Sequence, residues 1–163
     1  MSQVQQRVFD KLDAMGICYK VLSHKAVYTI DEIYNLHINN GGEVVKNLFL
    51  RDYEKKRYFL VVLQKDKKAD LKELRIKLNS RPLSFASEEN LHDYMGLNKG
   101  SVTPFGVLND TSCIVEVVFD HDLLSFEHIG VHPNENTATV WIHLKDLEKV
   151  IKEHGNKILH IEF

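Results

Sequence analysis

Residues 44–63 read VVKNLFLRDYEKKRYFLVVL. Two apolar runs, Val44 to Arg51 and Arg57 to Leu63, flank the charged turn DYEKK, the pattern of two neighbouring strands. In a regular strand Val44, Lys46, Leu48 and Leu50 share one face, and Asn47 points to the other. A lysine in an apolar row is costly to desolvate unless its ammonium finds a partner. Lys46 therefore either snorkels to a sheet edge or reaches a cleft, where it meets an anion or a polarised carbonyl. Lys46 and Asn47 can serve one pocket only if the backbone bulges or the strand is just starting there.

Further elements follow on both sides. Val4, Val8, Leu12 and Met15 form one helical stripe ended by Gly16, and Tyr19 to Leu22 is a short strand. Thr29 and Glu32 have the spacing of a capping box, which opens a short second helix. Asp70 caps a helix carrying Leu71, Leu74 and Leu78, and Ser87 starts another that reaches about Met95. Strands are expected at Phe105 to Leu108, Ile114 to Phe119, His128 to Val131 and Thr137 to His143. The last of these alternates small or polar with apolar residues, as a half-buried strand does. A helix with Leu144, Leu147, Val150 and Ile151 on one face stops at Gly155, and KILHIEF closes the chain as a strand. Strands outnumber long helices without a strict βαβ order. The fold class is α+β: a mixed, mostly antiparallel sheet with flanking helices, in one domain over residues 1–163.

Composition narrows the function. With 44% hydrophobic and 27% charged residues the chain is ordinary for a soluble globular protein. No apolar run approaches the ~20 residues of a membrane span, so no membrane partner and a cytoplasmic location are expected. Cys18 and Cys113 lie far apart and suggest neither a disulfide framework nor a zinc knuckle. The net charge of −2 hides an uneven distribution, because Arg51–Arg81 holds eleven Lys/Arg against five Asp/Glu. Such a segment is either a solvated surface or an attractor for one phosphate-bearing partner.

Two further stretches carry possible chemistry. Gly96 to Gly106, GLNKGSVTPFG, has three glycines and a proline in eleven residues. Backbone N–H groups in a loop of that kind can hold a carbonyl oxygen or a phosphate. His132-Pro133-Asn134 stands before the Thr137 strand, where a plain hairpin would more often show Asn-Gly. His121, His128 and His132 lack a matched carboxylate or cysteine, so no metal site is expected. No G-x-S-x-G nucleophile elbow is present.

In this order the stretches HKAVYTIDE, VVKNLFLRD, GSVTPFGVLND and VHPNENTATV resemble the YbaK/ProX family of freestanding editing proteins, related to the insertion domain of bacterial prolyl-tRNA synthetases. The His-Pro-Asn segment resembles the alanine-specific ProX branch; another branch removes cysteine. The resemblance implies an α+β deacylase without cofactor that hydrolyses the ester between a wrong amino acid and the 3′-adenosine of tRNA(Pro). The partner is then the acceptor end of tRNA(Pro), with prolyl-tRNA synthetase a candidate second partner. For that reaction the chemistry of the matched residues gives the expected roles. Lys46 holds the terminal phosphate or the ester, and Asn47 orients it. The loop from Gly100 and Ser101 through Val102, Thr103 and Pro104 supplies backbone N–H groups to the carbonyl oxygen. His132, with Pro133 and Asn134, lines the small aminoacyl pocket. A non-catalytic tRNA-binding protein on the same scaffold is the rival reading. All of this requires the lysine strand, the glycine–proline loop and the imidazole corner to surround one cavity.

Overall fold

The computed structural model describes residues 2–26 and 42–163. Its strands are β1 (Tyr19–Ser23), β2 (Glu43–Asp52), β3 (Tyr58–Gln64), β4 (Leu83–Phe85), β5 (Val115–Asp120), β6 (Ile129–Val131), β7 (Ala138–Ile142) and β8 (Ile158–Ile161). Its α-helices are α1 (Gln3–Ala14), α2 (Leu71–Lys77), α3 (Glu88–Met95) and α4 (Leu144–His154). The strands form one sheet in the order β1-β7-β6-β2-β3-β5-β8, with β4 paired to β2. Four pairings are antiparallel (β1/β7, β2/β3, β2/β4, β6/β7) and three parallel (β2/β6, β3/β5, β5/β8). The sheet is mixed and mostly antiparallel, as the sequence implies. The expected capping box at Thr29 and Glu32 lies outside the described residues.

Local chemistry sets the helix ends. The Asp70 carboxylate accepts from the N–H groups of Lys72 and Glu73, and the Ser87 hydroxyl from that of Asn90. Gly155, at φ 115°, ends α4 in a backbone conformation that costs glycine little. Helix α1 is rotated from the expected stripe: Val8, Phe9 and Leu12 are buried, whereas Val4 is 42% exposed.

The sheet has two apolar faces. The larger core joins Val45, Phe49, Leu60 and Val62 to α1, α3, α4 and the loop after α3. The smaller packs Leu50, Phe59, Val61 and Leu63 against Leu74 of α2 and Leu78 just after it. Each such fully buried side chain contributes ~1.5–3 kcal/mol. The structure departs from two expectations. Phe105 to Leu108 is a 3-10 helix (Pro104–Asn109), not a strand. Pro104 at its first turn presets φ for a helix, and Gly106 packs so tightly that a Cβ there would lie 2.6 Å from Leu97. Strand β7 is buried throughout rather than half-buried. Its Trp141 ring lies over Gly42 and Gly130, where added Cβ atoms would meet it at 3.0 and 2.8 Å.

Candidate functional site

Strand β2 has an interrupted edge. One side pairs with β3 from Val45 to Arg51. The other pairs with β6 only at Glu43 and Val44, and with β4 only from Leu50 to Asp52. The Ala86 N–H bonds to the Phe49 carbonyl. Among the described residues, Val45 to Leu48 therefore have no strand beside them on that side. Lys46 and Asn47 are the centre of this gap. Extending the parallel β2/β6 register by two residues brings His132 level with Lys46.

Along the gap runs a cavity of about 470 Å³, lined by Asn47, Phe49, Phe85, Leu91, Lys99 and Val102 among others. Asn47 leaves β2 on the larger-core side, and its Oδ1 is buried without a hydrogen-bond partner. Val102 brings the glycine–proline loop to the same cavity. Within that loop Gly100 adopts φ 93°. The Ser101 N–H is already bonded to the Asn98 carbonyl, and Pro104 has no N–H. The loop donors without a partner that also lie on partly exposed residues are thus those of Gly100 and Val102, since Thr103 is fully buried.

The loop and the imidazole corner are physically joined. The buried Thr103 hydroxyl donates to the His132 carbonyl at 2.6 Å. The His132 ring places Nδ1 3.1 Å from the Ala138 carbonyl. A carbonyl only accepts, so Nδ1 carries the proton and Nε2 is left as an acceptor. Burial pushes the His132 imidazole below its usual value near 6.5; the Ala138 carbonyl opposes this, and His24 adds to it. The rings of His24 and His132 lie 6.4 Å apart. His24 is itself fixed, with Nδ1 2.7 Å from the Lys25 carbonyl and Nε2 2.9 Å from the Thr139 hydroxyl. Sequence reasoning did not single out His24, although it heads the segment HKAVYTIDE. Residues 27–32 of that segment lie outside the described residues.

Two assigned residues sit apart from this group. Lys46 leaves β2 on the α2 face, opposite Asn47, as a strand without a bulge requires. It stands across from Leu63, and its ammonium donates to the Lys67 carbonyl in the turn after β3. Asn134, at φ 65°, lines a different hollow of about 420 Å³ with Arg7, Lys11 and His154. Its Nδ2 donates to the Phe105 carbonyl at 3.4 Å. Pro133 is buried.

The basic segment is neutralised in part. Arg57 makes a two-pronged pair with Glu116, Lys67 bridges Asp120 and Asp122, and Lys77 meets Glu73. Among the described residues Lys55, Lys68, Lys72 and Arg75 have no ion pair. No three His, Cys, Asp or Glu side chains among the described residues are grouped to hold a metal.

Comparison with known proteins assigns the family. The model of the aminoacyl-tRNA editing domain matches residues 24–150, a span that contains β2, the loop and the imidazole corner. This chain belongs to the aminoacyl-tRNA editing domain family. It is 49% identical over 158 residues to the prolyl-tRNA editing protein ProX of Acetoanaerobium sticklandii, covering 97% of this chain and 96% of that one. It is 35% identical over 144 residues to the prolyl-tRNA synthetase associated domain-containing protein 1 of Danio rerio, covering 87% of this chain and 78% of that one. A crystal structure described as a candidate trans-editing enzyme for prolyl tRNA synthetase superposes with a TM-score of 0.77 at 21% identity, over 100% of this chain and 99% of the other. That last likeness is one of fold. As an editing-domain protein the chain is an aminoacyl-tRNA deacylase, and the gap in β2 is where its fold opens a cavity beside polar groups. None of the described helices is long and apolar enough to cross a membrane.

Proposed function

We propose that the chain hydrolyses Ala-tRNA(Pro) in trans, acting in the cytoplasm after prolyl-tRNA synthetase has released the mischarged product. The observation that carries this reading is the link between loop and corner, in which Thr103 ties the oxyanion-type loop to His132 beside the open edge of β2. The 49% identity to a prolyl-tRNA editing protein supports the choice of tRNA. Chemical need supports the choice of alanine. A synthetic site shaped for proline rejects a smaller analogue by roughly 10–200-fold only, so a second hydrolytic sieve restores accuracy.

An aminoacyl ester is already activated, and no covalent nucleophile is required. Positioned donors and an oriented water or ribose hydroxyl suffice. In the proposed mechanism the N–H groups of Gly100 and Val102 receive the developing oxyanion. Asn47 orients the terminal adenosine from the cavity side. His132, neutral through burial, accepts a hydrogen bond at Nε2 from the substrate's amino group and bounds the pocket for a small side chain. Lys46 lies on the other face of the same strand, one residue along. Its ammonium leaves the Lys67 carbonyl and holds the terminal phosphate as the RNA crosses the strand's edge. Lys68, Lys72 and Arg75 extend that positive track on the α2 side, giving contacts that position the RNA without reading its sequence.

The deciding assay measures release of amino acid from Ala-tRNA(Pro), Cys-tRNA(Pro) and Pro-tRNA(Pro). Fast hydrolysis of the alanyl ester alone is expected. Preference for the cysteinyl ester would move the chain to the cysteine-removing activity, and binding without hydrolysis would make it a non-catalytic tRNA partner.

A further inference from the structure

The cavity along the gap in β2 is poorly suited to be the amino-acid sieve. A sieve that admits alanine and excludes proline must be tight, whereas this hollow measures about 470 Å³ and has aromatic walls. Phe85, at the end of β4, is 61% exposed there. Large exposed aromatic side chains are what single-stranded bases stack on. Opposite in chemistry is Asn47, whose buried Oδ1 lacks any donor in the protein. A buried orphan acceptor of this kind needs a partner from elsewhere. An asparagine amide pairs with adenine in a two-bond fashion, Oδ1 taking the exocyclic amine and Nδ2 giving to a ring nitrogen. At the mouth, Lys99 faces Glu88 at 3.7 Å with both side chains mostly exposed. A pair of that kind is weak, so the Lys99 ammonium can turn to a phosphate.

We propose that this cavity seats the 3′-terminal adenine of the tRNA, with the base stacked on Phe85 and its amine held by Asn47, while the amino acid is measured separately at the His132 corner. The inference rests on the editing reading above and adds a division of labour. The gap in β2 binds the nucleoside, and the Thr103–His132 corner sizes the esterified group. Phe85 is then a positioning residue that acts on affinity rather than on the ester.

The test uses the full chain with an acceptor-stem microhelix, uncharged for binding by fluorescence anisotropy and alanylated for turnover. Phe85→Ala is expected to raise both Kd and KM about 5–150-fold, the factor equivalent to ~1–3 kcal/mol of base stacking removed, with kcat near that of the unchanged protein. Phe85→Tyr should restore binding. A microhelix ending in purine riboside, which lacks the exocyclic amine, should bind the unchanged protein more weakly but Asn47→Ala no more weakly than the adenosine-ended one. Circular dichroism confirms folding; Phe85 is mostly exposed and its loss should leave the melting curve in place. Unaltered Kd and KM in Phe85→Ala overturn the proposal, as does equal affinity of the unchanged protein for the two terminal bases. Failure of the editing reading looks different. The unchanged protein would then bind the microhelix and discriminate the terminal base without releasing alanine.

Discussion

Replacing Thr103 with valine removes one hydroxyl and nearly nothing else. That hydroxyl lies in a side chain with no exposed surface and donates to the His132 carbonyl at 2.6 Å. Valine keeps the shape but leaves the carbonyl without its donor, which costs about 1–3 kcal/mol. For a chain of this length each kcal/mol lowers Tm by roughly 2–4 °C, so the melting point should fall by about 2–12 °C. A domain with ~5–15 kcal/mol of stability stays folded at 25 °C after that loss. Any fall in activity there reports geometry instead of unfolding. The bond fixes the loop donors relative to the imidazole, and a displacement of about 1 Å can lower turnover ~100-fold. The expectation is a drop in kcat/KM on Ala-tRNA(Pro) of about 10–100-fold, measured by single-turnover deacylation beside a thermal melt. Thr103→Ser, which keeps the hydroxyl, should recover most of the rate. A valine variant with unchanged melting and unchanged turnover would show that the loop and the corner are not one mechanical unit.

Lys46→Ala should lose most deacylation while its melting curve stays close to the original; unaltered turnover would remove the lysine from the mechanism. Gly130→Ala places a methyl 2.8 Å from Trp141 and should cost ~1–3 kcal/mol by urea titration, with Trp141→Leu in the same chain returning part of it. His132 is depressed below its unfolded value near 6.5. The unfolded chain therefore takes up this proton first, and the stability it contributes is complete above pH 6.5 and lost as pH falls toward the folded value. His132→Asn should flatten that part of a stability-versus-pH curve, and an unchanged curve would refute the assignment. Reversing charge at Lys72 and Arg75 together should weaken tRNA binding and lower the salt slope by about one for each phosphate the helix no longer neutralises; an identical slope would take α2 out of the interface.

Much of the local structure was legible in the sequence because its causes lie within a few residues. Asp70, Ser87 and Gly155 end their helices by bonds or backbone angles that depend on immediate neighbours. The run from Val44 to Leu63 carries its own strand signal, and the opposition of Lys46 and Asn47 follows from strand alternation alone. The ordered segments around His24, Lys46, Gly100 and His132 also pointed to the editing family.

What the sequence could not contain is which strand edges stay empty. β4 is three residues long, and its signal is too short to stand out; yet it and β6 together leave the gap at Val45 to Leu48. The two-sided burial of β7 depends on Gly42 and Gly130 making room for Trp141. The 3-10 turn at Pro104 depends on contacts with Leu97 and Met95. Asn134 lies near His132 in sequence but faces a separate hollow with Arg7 and Lys11, because its φ of 65° turns the chain away. Periodicity and capping are short-range and survive in one dimension. Edge pairing, close packing and the partition of side chains between cavities are settled by residues far apart in the chain, and those meet only when it folds.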